Sequence, residues 1–429
     1  MGGLSTNQPK PDENRPRTQI KTGLKWLFIA AMVVAGLGIV YIIVVFSMFA
    51  FYKPAPTTYS IALGDLDGDG DLDAFYANGQ SEGPRPNTVL INRGGGNFID
   101  SGQRLGNEES AEVTLADLDG DADLDAWVAN IGYNTLFTND GLGGFVAQQP
   151  PMHDYRIGSA GWAIALGDLD GDGDLDALGG GCCGAVSFGS PQDPTLHLPY
   201  SMIWINQGGA QGGQPGAFRS SQPLESLGAE GAALGDLDGD GDLDAFFANN
   251  ALMNLEADAD TPQPDTVWWN DGRGNFTDSG QRLGLARSTN VALGDLDGDG
   301  DLDAFVANQG ANEIWLNSGG RQGGQPGVFV DSGQRLGDGL YRQVFLARLD
   351  GDTDLDAAVV DYNRGLHLEI WLNDGQGKFT DSGQRISHPK AQAFALGDLN
   401  GDGRADIFAG WFEAGYTIWW NQGDGKFTP

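Results

Sequence analysis

The sequence predicts an all-β protein of seven repeated four-stranded units closed into a ring, preceded by one membrane-spanning helix. Three observations predict it. An aspartate-rich stretch recurs seven times, short apolar runs flank every copy, and one long N-terminal run carries no charge. The clearest copy reads Gly64-Asp65-Leu66-Asp67-Gly68-Asp69-Gly70-Asp71-Leu72-Asp73-Ala74. Others begin at Asp117, Asp168, Asp236 and Asp295, with weakened forms at Arg348 and Asp398. Successive copies lie 52, 51, 68, 59, 53 and 50 residues apart.

Carboxylates at every second position repel one another unless a cation neutralises them. Oxygen ligands in such number and flexibility suit calcium better than magnesium or a transition metal. Counting Asp65 as position 1, carboxylates stand at 1, 3 and 5. Gly70 at 6 permits a sharp turn, Asp71 at 7 offers its carbonyl, and Asp73 closes the site at 9. The candidate ligands are Asp65, Asp67, Asp69, Asp71 and Asp73 in unit 1, and Asp117, Asp119, Asp121, Asp123 and Asp125 in unit 2. Unit 3 supplies Asp168, Asp170, Asp172, Asp174 and Asp176, and unit 4 supplies Asp236, Asp238, Asp240, Asp242 and Asp244. Unit 5 supplies Asp295, Asp297, Asp299, Asp301 and Asp303, and unit 7 supplies Asp398, Asn400, Asp402, Arg404 (through its carbonyl) and Asp406. In unit 6, Arg348 replaces the first aspartate, and its guanidinium is expected to pair with Asp350, Asp352 or Asp356 in place of an ion. About six calcium ions are therefore expected, with the Ala122 turn of unit 2 weakened if position 6 needs a positive φ.

An EF-hand is excluded. It needs a glutamate at position 12, where this chain has Tyr76, Val128, Gly179, Phe247, Val306, Val359 and Ala409. Runs such as Val291-Ala292-Leu293 before the loop and Ala304-Phe305-Val306-Ala307 after it have no helical period and read as buried strands. A third strand ends each unit's core in a pattern such as Ile314-Trp315-Leu316-Asn317, and a Gly-rich turn opens a fourth, as at Gly274-Asn275-Phe276. Four strands per repeat of about 50 residues predict the blades of a seven-bladed β-propeller, in which closure removes exposed sheet edges. The third-strand tryptophans recur in phase with the fold and are expected to pack between units.

The aspartate loop between strands, followed by Trp-x-Asn and Gly-x-Gly-x-Phe, resembles the FG-GAP/VCBS-type repeats of bacterial surface proteins and, more distantly, of integrin α-subunit propellers. The resemblance spans about residues 57–429. It implies a propeller with calcium on the face that carries the loops between strands 1 and 2. The Phe-Gly and Gly-Ala-Pro strings that name the family are mostly absent, which places the chain nearer the bacterial variant and leaves integrin function uncarried.

Residues 1–25 form a tail with five basic and two acidic side chains, and residues 26–52 contain no charged side chain. That stretch exceeds a hydrocarbon core at 1.5 Å per residue and is longer than the ~7–15-residue core of a signal peptide, so an uncleaved signal anchor is expected. Basic residues before it place the N-terminus in the cytoplasm and residues 53–429 outside, extracellular or periplasmic. The whole chain carries −35 at pH 7. Such acidity excludes nucleic-acid binding. The only cysteines, Cys182 and Cys183, are adjacent and give no disulfide framework.

Catalytic motifs are not evident. The four histidines, His153, His197, His367 and His388, are scattered, and the carboxylates are absorbed by the loops. The phrase Asp-Ser-Gly-Gln-Arg recurs at Asp100, Asp278, Asp331 and Asp381, and its Arg104, Arg282, Arg335 and Arg385 are expected to tie neighbouring units together. Length variation falls in the connections between strands 2 and 3, above all 179–200 and 249–265, on the face opposite the calcium loops. The expected function is a non-catalytic, membrane-anchored binding or adhesion module whose protein or glycan ligand sits on that face. The alternatives are a calcium-dependent polysaccharide lyase or hydrolase, or a purely structural surface protein.

Overall fold

The computed structural model describes residues 57–79, 85–130, 134–148, 163–180, 201–209, 212–226, 228–254, 259–320, 323–363 and 365–429. The chain divides into Met1–Ala55 and Pro56–Pro429, and the described residues belong to the second unit. The basic tail, the uncharged stretch at 26–52, Cys182, Cys183, His153 and His197 lie outside them. Among the described residues there is no helix long and apolar enough to cross a membrane, and the spanning helix expected at 26–52 lies outside them.

The described chain is all β and forms a propeller, but the count of blades corrects the sequence expectation. Six blade sheets form rather than seven: five have four strands, one has six, and a two-stranded ribbon stands apart. The six-stranded sheet joins elements of units 5 and 6 and carries both of their loops. Its strand Phe329–Ala347 runs without interruption from the end of one unit into the start of the next. The connection after Asn308 is so short that Gln309 pairs with Leu340 and Gly310 with Gly339, which keeps the hydrogen bonding continuous. In unit 1 the same place holds only the isolated bridge between Asn87 and Leu105.

Burial follows strand order within a unit. The second strand, such as Asp73–Gly79 or Asp125–Asn130, is buried at every residue, which is why it reads as an unbroken apolar run. The short fourth strands, such as Phe98–Asp100 and Phe276–Asp278, bury one residue and expose two, as an outer edge should. Apolar clusters form between units rather than within them. Trp315 of unit 5 packs with Leu237 and Phe246 of unit 4, and Trp371 of unit 6 packs with Phe305 and Ile314 of unit 5. The third-strand tryptophans thus fill inter-unit space, as their phase in the repeat implies.

The ring closes through side chains, since the last strand, Phe427–Thr428, pairs with its own unit. Gln392 accepts the Thr58 N–H at 3.0 Å, the Phe98 N–H donates to the Tyr416 hydroxyl at 3.2 Å, and the Phe98 and Phe408 rings meet at 4.9 Å.

Candidate metal loops and the ties around them

In unit 1 the turn is built by the aspartates themselves. Asp65 accepts the Gly68 N–H on Oδ1 at 2.8 Å and the Gly70 N–H on Oδ2 at 3.0 Å, and Asp69 accepts the Asp71 N–H at 3.0 Å. Gly68 and Gly70 take φ values of 76° and 92°, a conformation open to glycine at no steric cost. Asp73 is fully buried and accepts from Leu66 at 2.9 Å and from Asn92 at 2.7 Å. These bonds aim the remaining lone pairs inward. One oxygen each of Asp65, Asp67 and Asp73 lies within 4.8 Å of the others, and Asp117/Asp119/Asp125, Asp168/Asp170/Asp176 and Asp236/Asp238/Asp244 repeat the arrangement.

The donor set fits a hard cation. Buried oxygens with no hydrogen-bond partner include Oδ1 of Asp67 and Asp119 at position 3 and Oδ2 of Asp299 at position 5. A buried carboxylate oxygen without a donor is costly, and an ion bound by oxygen ligands removes that cost. Burial also pushes the closing aspartates far above the usual carboxylate range. Asp73, Asp125, Asp244 and Asp356 rise to about 6, although backbone N–H groups pull the other way and neighbouring loop carboxylates add a little. Asp176 and Asp303 rise to about 7 for the same reason. The loop favours a positive charge at its centre, whether proton or metal ion. Positions 5 and 7 are walled by hairpin glycines, where a Cβ on Gly141 would lie 2.4 Å from Asp123 and one on Gly209 would lie 2.3 Å from Asp172.

The irregular loops depart in different ways. Ala122 adopts φ 77° and still donates to Asp117 at 3.0 Å, so unit 2 keeps the turn with a strained residue in it. In unit 6 Arg348 donates from Nε to the Thr353 carbonyl at 3.0 Å, and among the described residues no ion pair joins it to Asp350, Asp352 or Asp356. The cation stands in the loop, but it binds the turn rather than the acids. In unit 7 Arg404 pairs with Asp402 at 2.6 Å, and in unit 1 Arg93 pairs with Asp67 at 3.1 Å. Both arginines would compete with a metal for one oxygen, and sequence reasoning missed the second because Arg93 lies 26 residues after its partner.

Two ties were also missed. The asparagine ending each third strand donates its backbone N–H to the closing aspartate, and in units 1 to 6 its side-chain amide also reaches the preceding unit of the ring. Asn139, Asn206, Asn270, Asn317 and Asn373 donate from Nδ2 to the carbonyls of Leu66, Leu118, Leu169, Leu237 and Leu296 at 2.8–2.9 Å. Each loop is thus held on both sides. The signal was present in the recurrence of Asn, which was read only as a strand end.

The second tie corrects the reading of the recurring arginines. Arg104, Arg282, Arg335 and Arg385 pair with the aspartate four residues earlier, at 2.8, 2.6, 2.8 and 2.8 Å. Gly102 and its equivalents take positive φ and fold the chain back, which keeps the arginines within their own unit, where Arg335 and Arg385 also reach Glu313 and Glu369 at 3.3 and 3.0 Å. The preceding glutamine joins the units instead. Gln334 donates to the Gly377 carbonyl at 2.6 Å and accepts the Phe379 N–H at 2.9 Å, and Gln103 and Gln281 do the same one unit along. Replacing Gln334 by Ala should cost about 2 kcal/mol, while Arg104→Ala should cost no more than about 1 kcal/mol because its one acid partner, Asp100, is exposed. Chemical denaturation of both variants checks the order.

The described histidines are structural neighbours of other groups. His367 sits 3.5 Å from Glu369 and 3.8 Å from Asp361, with Nδ1 2.9 Å from the Gly365 carbonyl, and His388 stacks on Trp411 at 4.7 Å.

Fold and loops together define a propeller assembled from aspartate-loop repeats. The chain belongs to the family of FG-GAP-like repeats, whose model matches residues 65–128, 117–179, 255–306, 295–359 and 348–409. No curated protein matches it. Solved structures are similar at low identity. The BBS1N domain in complex with ARL6DN is 10% identical over 85% of this chain and 95% of its own, with a TM-score of 0.50. A Bacillus licheniformis rhamnogalacturonan lyase is 13% identical over 85% and 71%, with a TM-score of 0.43. An Agrocybe aegerita lectin, described as recognising non-reducing terminal N-acetylglucosamine, is 19% identical over 87% and 79%, with a TM-score of 0.35.

Proposed function

We propose that this chain is a calcium-loaded binding module, held at the outer surface of a membrane and engaging a protein or glycan without turning it over. The FG-GAP propeller fold supports a binding or scaffold module in general. Calcium as the ion is supported by the all-oxygen donor sets and the undonated buried oxygens of the loops. The uncharged stretch 26–52 supports membrane attachment, and the basic tail before it supports an outward propeller.

The observation that carries the binding reading is the contrast between two faces. On the loop face the asparagine and glutamine ties recur from unit to unit. On the opposite face the connections between strands 2 and 3 vary, and in unit 4 the connection forms its own antiparallel ribbon, pairing Ala251–Asn254 with Ala259–Pro262. A rigid frame with one variable face is how scaffolds present binding loops. Deleting residues 181–199 should leave the melting temperature within a few degrees, since loop length changes closure entropy slowly, and should abolish binding to whatever glycan or surface protein the intact chain captures on arrays. Unchanged capture would move the site elsewhere, and polymer cleavage in the same assay would replace binding by catalysis.

A further inference from the structure

In five units the first strand carries a β-bulge one turn away from its regular end. The register shifts between Thr58 and Ser60, Ser110 and Glu112, Ala229 and Gly231, Ser288 and Asn290, and Tyr341 and Gln343. The extra residues are Tyr59, Ala111, Glu230, Thr289 and Arg342, and all five line one cavity of about 260 Å³ together with the residues that follow four of them and Tyr362. The cavity therefore sits among the first strands of units from around the ring, toward their ends remote from the aspartate loops. Bulges re-aim side chains, and they concentrate at functional sites. The residues they aim here differ from unit to unit, while the aspartate loops that follow hardly change.

The structural need at these positions is small. Ser60 accepts the N–H of Val113 in the next unit at 3.5 Å, and Asn290 accepts that of Val344 at 3.1 Å. Glu112 makes the same bond to Ile164 at 3.1 Å, but with a carboxyl group where a neutral side chain suffices. It is half-buried and lines the cavity, and burial pushes it up to about 8. Among the described residues no ion pair involves Glu112. The other acid, Glu230, is served by the charges of Arg287 and Arg342, and Arg342 itself lies 4.9 Å over the Tyr362 ring.

We propose that the cavity binds one small hydroxylated primary ammonium ion, of amino-sugar size, with Glu112 as its counter-ion. The volume falls below the ~300–1,000 Å³ of drug-sized sites and admits a single small molecule. Ser60, Thr289, Asn290 and Gln343 offer hydroxyl and amide partners around it, and Tyr59 and Tyr362 offer ring faces. An arriving ammonium group supplies the positive charge that Glu112 lacks and lets it ionise in place. This deepens the binding-module reading and rests on it.

The test uses the full chain in mild detergent with calcium, titrated calorimetrically at pH 7 with glucosamine and with glucose, which differ by the amine. Glucosamine should bind at least tenfold tighter than glucose. Glu112→Gln, whose amide oxygen keeps the Ile164 bond, should remove that preference, and Ala111→Met should block both sugars by filling the cavity. Equal affinity for the two sugars, no binding of either, or a preference that survives Glu112→Gln would each overturn the proposal. Failure here with capture of a macromolecule intact would leave the wider binding reading standing. Glucosamine binding that survives deletion of residues 181–199 would separate the two sites.

Discussion

Stripping calcium from this chain is expected to lower its melting temperature by on the order of 10 °C. Extracellular calcium sites commonly bind at ~10⁻⁴–10⁻³ M, so at millimolar calcium each filled loop contributes about 1 kcal/mol or somewhat more. The contributions add in a ring whose units are all tied to their neighbours, which turns six small terms into one large shift. The pH dependence should reverse with the metal. In the stripped chain the closing aspartates titrate at about 6 to 7 in the folded state against an ordinary 3.8. Between those values the folded state holds protons that the unfolded chain has released, so stability falls as pH rises from about 4 through about 7. With calcium bound the ion replaces those protons, competes better as pH rises, and stability should climb over the same window. Differential scanning calorimetry at pH 5 and pH 8, with calcium and with a chelator, reads both signs. A melting temperature indifferent to chelation would remove calcium from the account.

The second large effect is expected from one asparagine. Asn206 is fully buried and donates to Leu118 at 2.9 Å and to Leu175 at 3.2 Å, while its oxygen accepts from Gly216 at 3.0 Å and Gly208 at 3.3 Å. Truncation to Ala removes four bonds and leaves buried backbone groups without partners, so Asn206→Ala should cost about 3 kcal/mol. Asn421 stands at the same place in unit 7 but reaches only Ala405 of its own unit, at 3.1 Å, and accepts Gly423 at 2.8 Å. Asn421→Ala should therefore cost only about 1–2 kcal/mol. Equal costs in urea unfolding would show that the bond to the preceding unit carries no special weight.

What sequence could reveal follows from what is periodic. Strands such as Asp244–Asn249 are buried throughout and read as apolar runs, and the loops repeat nearly letter for letter, so strand order and the place of the loop between the first two strands were legible. The number of sheets was not, because it depends on pairing between Gln309-Gly310 and Gly339-Leu340 rather than on how often a motif recurs. Arg104 was misplaced for a related reason. Repetition shows that a residue matters to every unit, but only the turn at Gly102 decides that it folds back to Asp100 while Gln103 reaches outward to Gly143. The central cavity was invisible since a bulge is a property of register between two strands. Tyr59 and Glu230 look like ordinary strand residues until Thr58 and Ala229 are seen to skip them.

The most direct test of the central claim is the number of calcium ions bound per chain, counted by native mass spectrometry and placed by anomalous scattering in crystals grown with calcium. The aspartate loops predict about six ions, each among the side chains of positions 1, 3, 5 and 9 (carboxylates throughout except Asn400), with the Arg348 loop left empty because a guanidinium already holds its turn at Thr353. No bound calcium, or an ion seated in the Arg348 loop ahead of the others, would contradict it.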